Sequence, residues 1–306
     1  MKCLALLLAF LAVVGCGKAE HPKTPDVDLS PLMSKFQDYS LWNDNLLAGD
    51  QGWTGDDCDA SMKTSLLGTY TDADPTLAIH SPGEWWRRRV SKGNCYPNES
   101  VSSSSRDMAV AEIDWMALHH RSDLARDMMD YADAHHGTIG QGDFFRTELG
   151  APLYATLCKV AGRKLLLQCD ILPTVGGEAD GPARQVAAWH LLARADATNE
   201  TIGSGYNNWI MARVTEQPQN LLFQLLAAQY VTGHWQPFID AAQDERYYPR
   251  AHLPTSNEVC DDWPLQRDMG KDWKPCPTDP AHPFKQYSGS DWLTVVARAL
   301  RLAGKL

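Results

Sequence analysis

Three short stretches place carboxylates beside groups that could turn them into acids or bases: Gly55-Asp56-Asp57-Cys58-Asp59, Ser105-Arg106-Asp107 and Trp263-Pro264-Leu265-Gln266-Arg267-Asp268. Trp53, Trp263 and Trp273 stand close to the first and third in sequence. Cleaving a glycosidic bond by inversion needs one protonated carboxyl to donate to the leaving oxygen. It also needs one ionised carboxylate to activate water, about 6.5–9.5 Å away. A helix N-terminus holds a carboxylate ionised through its dipole and backbone donors, which suits Asp57 or Asp59 to the base role. The acid must be raised by burial, as packing near tryptophan does. Asp107 is a candidate acid, with Arg106 opposing the shift if the two pair, and Asp268 beside Arg267 is the fourth catalytic candidate. Each aspartate also sits at an expected helix start, where N-capping alone explains it. Arg267-Asp268 reads equally well as a salt bridge that orders its loop.

Aromatic and amide groups supply candidate binding residues. The chain has 11 tryptophans, and Trp53, Trp85, Trp86, Trp209, Trp263 and Trp273 fall in expected loops, where a flat ring can stack on a sugar. Trp115, Trp189 and Trp292 fall on expected helices and read as core. Gly203-Ser204-Gly205-Tyr206-Asn207-Asn208-Trp209 has the make-up of a saccharide-contacting loop, so Tyr206, Asn207 and Trp209 join Trp53, Arg106, Trp263 and Arg267 as candidate substrate contacts. Tyr206, His190 and Arg184 form the alternative set of a polysaccharide lyase, although the net negative charge disfavours uronate substrates. His119-His120 and His135-His136 stand at expected helix C-termini, a placement that favours dipole contacts over metal binding. The H-E-x-x-H, G-x-S-x-G, P-loop and dinucleotide motifs are absent from the sequence. No cofactor and no metal are expected.

Helices must position these groups, because apolar residues recur mainly at helical spacing. Ser30-Pro31 opens one helix with Leu32, Phe36 and Tyr39 on a face, and Asp57 or Asp59 opens a second with Met62, Leu66 and Tyr70 a turn apart. A third helix from Arg106 to about His119 is apolar nearly all round, the mark of burial among other helices. The next, Asp123 to His136, carries one apolar stripe and belongs outside. Further helices are expected over Glu148–Ala161, Pro182–Ala197, Asn220–Val231, Gln236 to about Asp244, and Asp291–Ala303. Strand signals are nearly absent. The fold class is therefore all-α, an array of αα-hairpins in which apolar inner helices alternate with amphipathic outer ones. Tyr247–Gly289 breaks this pattern, being proline-rich and without periodicity, and reads as a functional loop lobe.

In style, residues 30 to 303 resemble the (α/α)-toroid glycosidases called six-hairpin proteins. The resemblance rests on acidic inner-helix starts, Arg-Asp pairs and tryptophans gathered toward one end of a helical ring. It implies a toroid or, with about five hairpins, an incomplete one, and a glycan as substrate.

The first 31 residues add an address. Met1-Lys2 and the apolar run Cys3–Val14 form a signal peptide, too short to span a membrane as a stable helix. Val13-Val14-Gly15-Cys16 resembles the lipobox of bacterial lipoproteins. That resemblance implies removal of residues 1–15, diacylglycerol on Cys16 and export, with Gly17 favouring the outer membrane. Residues 16–31 read as a lipidated N-terminus and extended tether, and 32–306 as one helical domain. Ordinary secretory cleavage after Gly17 or Ala19 is the competing pattern. Cys58, Cys95, Cys158, Cys169, Cys260 and Cys276 remain, an even set that suits three disulfides between sequence neighbours, the last stapling the loop lobe. The chain has 28 Lys and Arg against 38 Asp and Glu, a net charge of −10 that excludes nucleic acid as a main partner. Arg87-Arg88-Arg89 reads as a solvated helix face. The expected function is a membrane-anchored carbohydrate-active protein that binds a glycan or envelope polymer, with hydrolysis as the further step. The alternative is a non-catalytic envelope lipoprotein that docks a protein partner.

Overall fold

A computed structural model describes residues 23–37, 60–93, 104–139, 150–164, 168–176, 181–199, 201–218, 220–244 and 290–306. Among these the chain is mostly helical, with ten helices and a single two-stranded sheet. The helices are α1 (30–37), α2 (Ala60–Gly68), α3 (Arg106–Leu118), α4 (Ser122–Ala134), α5 (Gly150–Val160), α6 (Gly181–Thr198), α7 (Asn207–Glu216), α8 (Leu221–Leu226), α9 (Gln236–Gln243) and α10 (Ser290–Leu302). A π-helical turn, Ala227–Thr232, continues α8.

Burial separates two kinds of helix, as apolar patterning requires. Every residue of α2 and α8 is buried, as are residues 292–300 of α10 and Met108–Met116 of α3. By contrast α4 buries only Ala125, Met128, Met129 and Ala132, and α7 only Ile210. The buried helices contact one another in sequence: α2 packs on α3, α3 on α6, α6 on α8, α8 on α10, and α10 on α2. Leu293, Val296 and Leu300 of α10 are 1% exposed or less, and each such side chain contributes roughly 1.5–3 kcal/mol. Fully buried Trp292 also donates its indole N–H to the Ala242 carbonyl at 3.0 Å, fixing α10 to the end of α9.

Three features depart from the expected elements. A hairpin of β1 (Ile79–Ser81) and β2 (Glu84–Trp85) interrupts the helices. Its turn needs glycine: Gly83 has φ +77°, and a Cβ there would lie 2.0 Å from the Asp127 carbonyl of α4. The Gly203–Trp209 stretch is also corrected, since α7 begins at Asn207. Asn207 and Trp209 thus stand on a helix, whose apolar Ile210 and Val214 lie one turn apart behind a single 3-10 turn, Ser204–Tyr206. The Arg87–Arg89 run is not a helix face either; it follows β2, with Arg87 and Arg89 buried.

The start of the described chain is attached to the domain. Lys23 donates its amide to Gln229 at 2.8 Å and its ammonium to the Val231 carbonyl at 2.7 Å, on the π turn. A cation at that helix end complements the dipole. Cys158 and Cys169 form a disulfide between α5 and the segment behind it. No helix among the described residues is long and apolar enough to cross a membrane.

Candidate functional site

Of the four candidate catalytic aspartates, Asp107 lies in the described structure; Asp57, Asp59 and Asp268 fall outside it. So do Trp53, Trp263, Arg267, Cys16, Cys58, Cys95, Cys260 and Cys276. Asp107 occupies the first turn of α3, half-buried behind the N-cap Ser105. Its Oδ1 accepts a short hydrogen bond from the Ser105 hydroxyl and one from the Met108 amide at 3.1 Å. Both are bonds to a carboxylate in its acceptor role, at the positive end of a helix. Arg106 next to it is exposed. A small apolar cavity reaches Asp107, lined by Met62 and Leu66 of α2, Ala111 of α3, and Val186 and Trp189 of α6.

Five residues further along α3 stands the acid that sequence reasoning missed. Glu112 is wholly buried, and that burial pushes its carboxyl up to about 8. The negative charge of Asp107 adds to the shift, whereas Ser61 and Arg87 ease it down. Ser61 stands near, at a geometry short of a hydrogen bond, so neither Glu112 oxygen nor the Ser61 hydroxyl has a partner. The Ser61 amide donates to the Arg87 carbonyl at 3.0 Å, which ties the start of α2 to the bend that follows the hairpin. The clue to Glu112 was present in the sequence: α3 reads as apolar all round, yet beyond its first turn it contains two acids, Glu112 and Asp114. A charged residue inside a helix read as fully buried is informative in itself.

The other candidate contacts are dispersed. Tyr206 donates its hydroxyl to the Pro173 carbonyl at 2.7 Å, and burial raises its pKa. Trp209 meets Phe223 edge-on at 6.1 Å, with the Arg213 guanidinium 5.7 Å above its ring, so it packs α7 onto α8. Trp85 and Trp86 are buried. Nor does the structure gather the lyase set. His190 shares a 3.0 Å hydrogen bond with Thr156 and is lowered to about 4 by burial, while Arg184 pairs with Glu216 at 3.1 Å. The histidine pairs serve helix ends: His119 Nε2 meets the Gly68 carbonyl at 2.6 Å, and His135 Nδ1 the Tyr131 carbonyl at 2.7 Å.

A further polar centre lies in the hairpin. Glu84 receives Ser81 Oγ at 2.7 Å and Trp86 Nε1 at 3.3 Å, and it shares a 2.9 Å bond with His80 Nδ1. Burial works to raise its carboxyl, but these three bonds together prevail and hold it below the ordinary value. The His80 ring stacks on Trp86 with centroids 4.2 Å apart. No family model, curated protein or solved structure matches the chain.

Proposed function

We propose that this is an exported, lipid-anchored protein of the (α/α)-toroid type that binds a glycan at the face where α3 begins. On this reading Glu112 is the proton donor and Asp107 the carboxylate for hydrolysis. The closed order of contacts α2, α3, α6, α8, α10 supports a ring of five inner helices, fewer than a full toroid. The lipobox-like Val13-Val14-Gly15-Cys16 supports export. The observation that carries the catalytic reading is the contrast along α3. One carboxyl accepts two hydrogen bonds at the helix start; the other, a little over a turn away, is buried and held protonated up to about pH 8. Carboxyls whose environments separate their protonation states mark acid and base roles.

One observation favours the second reading, a non-catalytic envelope component that docks a protein. Glu112 is wholly enclosed, and both bonds to Asp107 come from its own helix start, so both acids have structural uses. A panel of envelope and environmental glycans separates the two, read by retention in affinity electrophoresis and by release of reducing ends. The expected result is retention with turnover that falls at least 100-fold in Glu112→Gln and declines in wild type above about pH 8. Retention without turnover leaves a glycan-binding module. Absence of retention across the panel overturns the glycan reading in favour of the docking component.

A further inference from the structure

Each of the five central helices sends one polar side chain to a common point: Tyr70 just past α2, Asp114 on α3, Asp196 on α6, Tyr230 on the π turn after α8, and Arg298 on α10. Arg298 donates to both oxygens of Asp196, at 2.6 Å each, and to the Tyr70 hydroxyl at 3.2 Å. Its charge also acts on Tyr230, whose hydroxyl accepts from Gln229 Nε2 at 2.9 Å. Asp114 is 1% exposed and Arg298 5%. Asp114 feels the charge of Asp196 beside it, and no donor reaches either of its oxygens.

The charges at this point do not balance if both acids are ionised. One guanidinium faces two carboxyls, and its fork is already committed to Asp196. An uncompensated buried anion is among the costliest arrangements in a fold. Placing one proton between the two carboxyls removes the excess charge and turns a repulsive contact into a hydrogen bond. We propose that Asp114 and Asp196 hold one proton in common, making the meeting point of the five helices a neutral lock that opens when the proton is lost to solvent.

Among the described residues, Arg298 is the cation whose charge acts on Asp114. On α4, Asp130 and Asp133 face Arg163, and Arg126 bonds the Ala161 carbonyl. Lys159 of α5 pairs with Asp170, and Arg194 of α6 donates to the Ala155 and Cys169 carbonyls. Arg301 of α10 lies over the Tyr70 ring at 5.9 Å. Burial is the main reason that Asp114 rises well above 3.8; Asp196 adds to it and Arg298 opposes it.

Because the folded chain then holds a proton that the unfolded chain has released, stability falls with rising pH until the folded state also loses it. Asp114→Asn keeps the shape, donates to Asp196 and cannot ionise. Relative to this variant, the unfolding constant of the wild type should rise about tenfold per pH unit above pH 5, by linkage of one proton. Glu112 is common to both proteins and cancels from the ratio. A ratio constant from pH 5 to 8 overturns the proposal, as does a variant less stable than wild type throughout that range. A second measurement does not depend on how Asp114→Asn folds. Infrared spectra of Glu112→Gln at pH 7 should retain the carbonyl stretch of one protonated carboxylic acid, and a spectrum with carboxylate bands alone overturns the shared proton.

Discussion

Two acids only two residues apart in the middle of α3 are buried in opposite ways. Toward its C-terminal half, Asp114 joins a constellation in which a second carboxylate, a guanidinium and two phenols come from four other segments. Two residues earlier, Glu112 is equally buried but has only the influence of Ser61 and Arg87 to ease its charge. The first arrangement balances in charge once one proton is counted, although Arg298 Nε has no acceptor. The second is left incomplete, with two orphaned oxygens and no cation bonded to them. Fold stability explains the first without further appeal. The second is the kind of uncompensated group that functional sites retain.

Removing the cation is the strongest way to break that contrast. Arg298→Met leaves Asp196 buried without its counter-ion and should cost about 3–5 kcal/mol, as loss of one partner from a buried pair does. Urea unfolding at pH 7 reads this directly. The double variant Arg298→Met with Asp196→Asn should recover a large part of the loss, because it removes the stranded anion too. A loss under about 1 kcal/mol in the single variant would mean the constellation does not brace the five helices.

Glu112→Gln sharpens the comparison from the other side. The ordinary glutamate value is 4.5 and the folded one about 8, so the folded chain binds the extra proton between those limits. The stability tied to the neutral acid is fully present below pH 4.5 and is lost as pH rises through about 8. Against Glu112→Gln, wild-type stability should therefore decline by up to about 1.4 kcal/mol per pH unit in that window. Thermal unfolding at pH 5, 6, 7 and 8 measures the slope. Parallel curves would show that Glu112 finds solvent or a cation and is no reserve of protons.

Helix type and approximate position were legible in the sequence because amphipathic and apolar patterns differ by face. The buried Met108–Met116 stretch and the one-sided α4 follow directly from that difference. The hairpin escaped notice because three- and two-residue strands carry no alternation to detect. The π turn was also invisible, since its pattern continues that of α8. The sites were less legible for a physical reason: the sequence shows where acids cluster locally, whereas burial decides which acids are perturbed. Asp107 stood out beside Ser105 and Arg106, while Glu112 and Asp114 hid among alanines and methionines. Asp196 and Arg298 are 102 residues apart, and only packing of α6 near α10 joins them. The neighbour rule for cysteines did succeed for Cys158 and Cys169, where eleven residues of separation make closure local.

Asp107 carries the smallest expected change in stability and tests the division most finely. Its carboxylate accepts from Ser105 and Met108 in the first turn of α3, so Asp107→Asn keeps an acceptor and loses only the favourable charge at the helix start. That charge is worth roughly 0.3–1 kcal/mol at a partly exposed site. The same substitution also lifts a negative charge from the surroundings of Glu112, which should bring the Glu112 carboxyl down from about 8. The two effects are separable, because the first is a small constant offset in stability and the second moves the pH at which the wild-type slope ends. A shift in that end point with almost unchanged stability at pH 5 would show the two acids coupled through space. An offset with no shift would reduce Asp107 to a cap and leave Glu112 to stand alone.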